Sequence, residues 1–197
     1  RNPTAGIPLL KENNQVERFL SVEEAKALLI AIKASKNPML QHIVSMLILT
    51  GARKREVLDA KWEDFDMERT SWRIPNTKAG KARIVPLSDT ATALLMKLRK
   101  KKRSPYAFAN PITLKPYKSI YYSWHTARKE AGLDDVRIHD LRHSFASFLV
   151  NAGRSLYEVQ TLLGHTQIKT TQRYAHLSTT SLRAASNEVS LAVPELI

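Results

Sequence analysis

The sequence contains no cysteine, has no long apolar run and carries few acidic residues. Without cysteine the chain can form no disulfide bond and no thiol nucleophile, and most zinc-site patterns are excluded as well. The longest apolar stretch, around residues 43–49, is too short to span a bilayer, and the first residues show no signal-peptide core. We therefore expect an intracellular protein.

The charged residues are strongly biased toward one sign. Lys and Arg total 31 against 18 Asp and Glu, which gives a formal charge of +13. This excess favours a polyanionic partner, most simply nucleic acid. A membrane surface is disfavoured, because no stretch pairs a basic helix face with Trp and Phe on the opposite face. With 197 residues, 43% of them hydrophobic, we expect one sizeable folded domain.

Residue spacing predicts a mostly α fold of the α+β class, with one small three-stranded antiparallel sheet. Apolar residues recur at helical spacing between caps, prolines and glycines. The predicted helices begin at Ser21, Pro38, Arg53, Ser88, Tyr117, Ile138, Ser155, Thr170 and residue 179. Glycines predicted to end helices are Gly51, Gly132, Gly153 and Gly164. Strands are predicted over residues 61–65, 71–75 and 82–87, with a hairpin turn at 77–80.

Two basic residues stand where the chain turns. Arg53 follows a helix end, where a guanidinium could clamp phosphate oxygens bidentately or simply lie exposed at a helix start. Glu56, three residues on, could orient Arg53 or form an ordinary surface pair. Lys78 lies in the predicted hairpin turn, either as a solvated charge or as a general acid that protonates a leaving oxygen of DNA.

His139 and Arg142 are spaced i, i+3 on one predicted helix, beside its apolar stripe. This spacing suits one phosphate gripped by two donors, but it is also typical of a plain polar flank. His139 and His143, at i, i+4, could instead ligate a metal ion. No third ligand lies nearby in sequence, so neither a metal nor another cofactor is predicted.

His165 and Tyr174 lie in the last third of the chain. Just past a predicted helix end, His165 could complement the helix dipole or donate to a substrate oxyanion. Tyr174 is typical of a half-buried packing residue. As a nucleophile it would need adjacent cations or a base, because the reference pKa of tyrosine is about 10. The basic run 97–103 predicts a solvated helix end that can add phosphate contacts.

Taken in order, these elements resemble the tyrosine recombinase family, which comprises the phage-integrase and Xer-like enzymes. The matching segments are Thr50–Glu56, the hairpin Lys78, His139–His143, Leu162–His165 and Thr170–His176. A single His-x-x-Arg would be unspecific, but all five segments in this order and at these separations make a specific match. The resemblance covers about residues 21–178.

The resemblance implies a catalytic set: Arg53, Lys78, His139, Arg142, His165 and Tyr174. The two arginines would hold the scissile phosphate, and the lysine would protonate the departing 5′ oxygen. His139 would assist as base or phosphate ligand, and His165 would donate a hydrogen bond to the phosphate. The tyrosine would form a 3′-phosphotyrosyl link. Such donors stabilise the charge that develops on the phosphate oxygens, a role that metal ions have in other enzymes. We therefore expect strand cleavage and rejoining without metal or ATP.

The resemblance also implies partners and a domain order for a site-specific recombinase or integrase. We expect double-stranded DNA as partner, a homotetramer on paired sites in the full-length form, accessory DNA-bending proteins and no membrane. The setting would be the cytoplasm and nucleoid of a prokaryote or phage host. Residues 1–20 would link a missing N-terminal core-binding domain, and 21–178 would form the catalytic domain. Residues 179–197 would form a C-terminal helix and tail that docks on a neighbouring protomer or folds back.

Two other functions remain open from the sequence. A DNA-binding module without catalysis would explain the charge, because residues 155–163, a glycine turn and 167–177 resemble a helix-turn-helix. That function leaves Arg53, Lys78 and the His139–Arg142 pair unexplained. A type IB topoisomerase shares the tyrosine chemistry, but the Leu-Gly-His element and the short tyrosine segment favour a recombinase.

Overall fold

The computed structural model describes residues 18–75 and 82–178, which form a helical domain around one small sheet. Its α-helices are α1 (Val22–Lys33), α2 (Leu40–Thr50), α3 (Lys54–Leu58), α4 (Asp89–Arg99), α5 (Tyr121–Glu130), α6 (Asp140–Asn151) and α7 (Leu156–Leu163). Its strands are β1 (Phe65–Asp66), β2 (Ser71–Ile74) and β3 (Arg83–Pro86). Short 3₁₀ segments lie at Trp62–Asp64, Ile168–Thr170 and Gln172–Ser178. The predicted fold class is confirmed.

The sheet is antiparallel, in the order β1-β2-β3. Trp72 of β2 pairs with Val85 of β3 and stacks on Phe65 of β1, with ring centroids 5.3 Å apart. These three side chains are buried, so the inner face of the sheet packs on the helices. At the other end of the ladder Ile74 pairs with Arg83, as the predicted hairpin requires. The turn at 77–80, which contains Lys78, lies outside the described residues.

The first predicted strand, 61–65, is wrong over most of its length. Only Phe65–Asp66 is strand, and Trp62–Asp64 forms a 3₁₀ turn. The carboxylate of Asp64 accepts the Lys61 backbone N–H at 3.2 Å, which closes the turn. The backbone N–H of Trp62 donates to the Pro105 carbonyl at 2.9 Å rather than to a strand.

The α2 helix lies at the centre of the main core. It packs against α1, α3, α4 and α6, and its side chains at Ile43, Val44 and Met46 are fully buried. α6 was expected to bury one apolar stripe, with Arg142 beside it. Instead α6 is enclosed on several sides, and even Arg142 and His143 are only 5% and 7% exposed. All polar residues of this helix except the terminal Asn151 therefore lie inside the protein.

A second, smaller apolar cluster forms where the later half of α6 meets α7 and the 3₁₀ segment Gln172–Ser178. Its buried members are Ala146, Val150, Val159, Leu163 and Tyr174. The predicted helix at 170–177 is thus 3₁₀ and folded inward. It does not supply the exposed second α-helix that a helix-turn-helix requires.

Other boundaries differ by a few residues. The helix expected from Tyr117 begins at Tyr121, because the Ser119 hydroxyl accepts the Tyr121 N–H and the Tyr117 hydroxyl donates to Asn37. Residues 18–20 pack on the domain, where the buried Leu20 N–H donates to the Ser144 hydroxyl at 2.8 Å. The rest of the predicted linker and the predicted helix at 179–191 lie outside the described residues. Among the helices of the described ranges, none combines the length and the apolar character of a membrane span.

Candidate active site

Arg142 lies at the centre of the candidate site. It projects from the first turn of α6, and its guanidinium donates to the Gly51 carbonyl at 2.6 Å and to the Leu163 carbonyl at 2.7 Å. Gly51 ends α2 with a φ of 61°, and Leu163 is the last residue of α7. One buried cation therefore ties together the ends of two helices, satisfying carbonyls that have no partner within their helices.

Arg53 enters the site at the start of α3, two residues after Gly51. Its backbone N–H donates to the Glu56 carboxylate at 2.7 Å, and its Nη1 donates to the same carboxylate at 3.0 Å. Glu56 sits at the third position of α3, so its carboxylate accepts the otherwise unpaired backbone N–H at the helix start. This geometry matches the orienting role considered for Glu56. The Arg53 side chain is 29% exposed and is therefore accessible to a ligand from solvent.

Arg83, the first residue of β3, was not singled out from the sequence. Its Nη1 and Nη2 donate to the two Glu56 oxygens, both at 2.9 Å, in a bidentate pair. The side chains of Arg83 and Glu56 are 11% and 6% exposed. Burial alone would raise the pKa of Glu56, but the Arg53 backbone amide and the charge of Arg83 outweigh it and lower that pKa. Glu56 therefore stays ionised between two arginines.

His139 lies at the residue before α6. Its ring stands edge-on to that of His143, with centroids 5.0 Å apart. Desolvation and the nearby positive charge of Arg142 lower the pKa of His139. We therefore expect a neutral imidazole at pH 7, able to accept or donate a proton.

His165 follows Gly164, which ends α7 with a φ of 67°. The His165 Nδ1 lies 2.8 Å from the hydroxyl of Thr171, a fully buried residue. Burial and the charges of Arg142 and Arg53 lower the pKa of His165 to about 4. A threonine hydroxyl that donates to Nδ1 fixes the tautomer with its proton on Nε2, which leaves that N–H as a donor.

Tyr174 is 2% exposed and lies in the small apolar cluster beside α6. Its hydroxyl is 2.5 Å from Nδ1 of His143. Burial, followed by the effect of His139, lowers the pKa of His143 to about 4, so this imidazole is neutral at pH 7 and can accept the tyrosine proton. From the sequence His143 was a candidate metal ligand only, because its helical spacing gave no sign of a tyrosine partner.

Several positively charged side chains lie around Arg142. Burial, then repulsion by Arg53 and Arg83, lowers the pKa of Arg142 to about 10, while Glu56 and Tyr174 act in the opposite direction. A buried guanidinium under such repulsion is stabilised by an incoming anion. The site is therefore suited to a phosphate group.

The structure brings five of the six predicted site residues to one place: Arg53, His139, Arg142, His165 and Tyr174. Arg142 donates to the carbonyls of Gly51 and Leu163, which lie two residues before Arg53 and His165. The adjacent His143 contacts the Tyr174 hydroxyl and the His139 ring. The sixth, Lys78, lies outside the described residues. Within the described ranges, no group of three His, Asp or Glu side chains could hold a metal ion.

Comparison with sequence families and curated proteins gives consistent matches. The model of the phage integrase family matches residues 18–181. The integrase of Salmonella phage P22 is 31% identical over 196 residues, covering 93% of this chain and 50% of that protein. Tyrosine recombinase XerA of Saccharolobus solfataricus is 35% identical over 182 residues, covering 92% of this chain and 60% of that protein. The chain thus spans little more than half the length of these relatives.

Solved structures show the same fold. The catalytic domain of bacteriophage HP1 integrase superposes with a TM-score of 0.72 at 27% identity, covering 91% of this chain and 99% of that one. XerH site-specific recombinase, bound to its palindromic difH substrate in a post-cleavage complex, gives a TM-score of 0.68 at 26% identity. That match covers 88% of this chain and 53% of the XerH chain.

Proposed function

Because the chain belongs to the phage integrase family, we propose that it is the catalytic domain of a site-specific DNA recombinase or integrase. The full protein would cleave and rejoin DNA strands through a 3′-phosphotyrosyl intermediate. One observation carries the proposal: the Tyr174 hydroxyl lies 2.5 Å from Nδ1 of His143, the residue that follows the buried cation Arg142. A nucleophile, a proton acceptor and an anion-binding group therefore occur together.

In this proposal the scissile phosphate binds between α3 and the start of α6. Arg53, whose side chain is partly exposed, supplies guanidinium N–H groups, and Arg142 adds a preorganised positive charge. His165 donates from Nε2, and His139 completes the cluster from the residue before α6. These groups stabilise the charge that develops on the nonbridging oxygens as the phosphorus becomes five-coordinate.

The chemical step is an in-line displacement at phosphorus. The Tyr174 oxygen forms a bond to phosphorus while the bond to the 5′ oxygen breaks, and Lys78 gives that oxygen its proton. The tyrosine proton passes to a neighbouring imidazole; His143 is the one in contact in the resting structure, and the family resemblance favours His139. The phosphotyrosyl bond conserves the energy of the phosphodiester, so a 5′ hydroxyl can reverse the step and join a new strand.

The proposed partner is double-stranded DNA, in line with the formal charge of +13 and with the difH substrate of the structurally similar XerH. For the full-length protein we propose a homotetramer on paired sites, assisted by DNA-bending proteins, in a prokaryotic or phage-infected cell. Residues 1–20 would connect to a core-binding domain, and 179–197 would act in contacts between protomers.

The test is covalent trapping by the full-length protein on a nicked suicide duplex that carries the junction sequence of its own genetic element. We expect a protein–DNA adduct on a denaturing gel with the wild type and none with Tyr174→Phe. The matched control is Tyr157→Phe, since Tyr157 lies on α7 and is 74% exposed. An adduct that persists in Tyr174→Phe would exclude Tyr174 as the nucleophile.

A further inference from the structure

The Arg83–Glu56 pair suggests a function beyond stability. Both side chains are nearly buried, and Nε of Arg83 is enclosed without an acceptor among the described residues. Burying an ion pair costs desolvation energy that an apolar pair would avoid. Stability alone therefore does not explain this ion pair, and its position beside Arg53 suggests a role in the candidate site.

The Glu56 carboxylate is shared between the two arginines unequally. Arg83 occupies both of its oxygens, whereas the side chain of Arg53 reaches only one, through a single Nη1. Among the described residues, the Nε and Nη2 of Arg53 donate to no acceptor. Without Arg83, Glu56 could accept Arg53 in a bidentate pair, which would draw that guanidinium inward and neutralise its charge.

Arg83 also contacts the loop that carries His165. A Cβ atom on Gly164 would lie 2.5 Å from Cδ and 3.0 Å from Nε of Arg83, so the arginine lies flat against this glycine. The same side chain thus touches the helix start that presents Arg53 and the helix end that presents His165. It begins β3, five residues after Lys78 in the sequence.

We propose that Arg83 is a positioning residue for the phosphate-binding site, which saturates Glu56 so that Arg53 stays turned toward the DNA phosphate. The proposal rests on the proposed recombinase function, because it assigns Arg83 to the same reaction. Arg83 would not touch DNA. It would act through Glu56 on Arg53 and, by its contact with Gly164, on the placement of His165.

The experiment measures the single-turnover rate of adduct formation by the full-length protein on the nicked suicide duplex. Arg83→Gln should slow cleavage about ten- to a hundred-fold, the effect expected when a catalytic group is misplaced by about 1 Å. Affinity for the same duplex, measured by fluorescence anisotropy, should stay unchanged. Arg73→Gln is the matched control, because Arg73 is an exposed arginine on the adjacent strand β2. It should cleave at the wild-type rate.

A double-mutant cycle separates positioning from a merely structural role. Arg53→Lys should slow cleavage by itself, and adding Arg83→Gln should slow it little further, because the group that Arg83 orients is already impaired. If the two effects multiply, Arg83 acts independently of Arg53 and the proposal is overturned. If Arg83→Gln fails to fold, Arg83→Lys, which keeps the charge but loses the fork, replaces it in the same cycle.

The outcomes also separate this proposal from the proposed function. A wild type that forms no adduct overturns both. A wild type that forms the adduct, with Arg83→Gln cleaving equally fast, overturns only the positioning role and leaves the recombinase function standing.

Discussion

In the proposed mechanism Arg142 serves both structure and chemistry, because the guanidinium that donates to two carbonyls would also bind the phosphate. Its two carbonyl partners lie on helix ends that are 112 residues apart in sequence, Gly51 and Leu163. A lysine could donate to one of them but lacks the planar fork that reaches both. The site therefore requires arginine for its geometry as well as for its charge.

Arg142→Lys should reduce the single-turnover cleavage rate by about two to three orders of magnitude, the usual effect of removing one donor to a developing oxyanion. It should also lower the free energy of unfolding by about 1–3 kcal/mol, because a buried carbonyl loses its donor. Urea denaturation and adduct kinetics measure the two effects. A variant as stable as the wild type would show that the two carbonyl contacts do not contribute to the free energy of unfolding.

At the scale of elements, the ends of the helices position the site. Gly51 adopts a φ of 61° and packs so closely that an added Cβ would meet the Phe145 ring and lie 2.8 Å from the Leu163 side chain. Gly153 at the end of α6 has a φ of 79° but open space around it. A substitution at Gly153 therefore tests backbone strain alone, whereas one at Gly51 tests backbone strain together with steric conflict.

Gly51→Ala should lower the free energy of unfolding by about 2–4 kcal/mol, the sum of left-handed strain and overpacking. Gly153→Ala, with strain alone, should cost about 1 kcal/mol. Urea denaturation midpoints compare the two variants. Equal losses would mean that the core around Phe145 yields to the added methyl group.

Local signals predicted these elements well. The capping boxes at Ser21 and Ser155 are present, and all four predicted helix-ending glycines have positive φ, because caps and left-handed turns depend on neighbouring residues. Residues 61–64 and 117–120 were misassigned because their backbone and side-chain partners, Pro105 and Asn37, lie far away in sequence.

In the candidate site, too, local spacing predicted some residues, whereas others depend on contacts between distant parts of the chain. The i, i+3 spacing of His139 and Arg142 is visible in the sequence, and the structure places both residues at the start of α6. Arg83 carries no such signal, since an arginine at a strand start is ordinary and its partner Glu56 lies 27 residues earlier. The contact between His143 and Tyr174 spans 31 residues and depends on how the last 3₁₀ segment folds back.

For the molecule as a whole, the buried histidines predict an acid-sensitive stability. His143 and His165 have pKa values lowered from 6.5 to about 4 in the folded state. Between these values the unfolded chain binds protons that the folded chain does not, so the free energy of unfolding falls as pH drops from about 6.5 to about 4. Each histidine contributes on the order of 2–3 kcal/mol across this window.

Urea denaturation between pH 4 and pH 8 tests this expectation. The wild type should be nearly constant above pH 7 and should lose stability steadily below about pH 6.5. His143→Gln combined with His165→Gln should reduce the slope in that window and leave the contribution of His139, whose pKa burial also lowers. A double variant with the wild-type slope would place the acid sensitivity elsewhere, for example in ionised carboxylates such as Glu56, whose pKa is lowered from 4.5.

The division of the apolar interior into two clusters has a consequence for motion. Tyr174 belongs to the smaller cluster, whose buried members are few and whose last segment is 3₁₀ rather than α. Cooperative unfolding units follow such boundaries, so the segment 172–178 should open without the α2 core, at a small fraction of the global unfolding free energy. Its amide hydrogens would then exchange with solvent long before those of α2. Tyr174, the proposed nucleophile, would thus lie in a part of the domain that opens more easily than the α2 core.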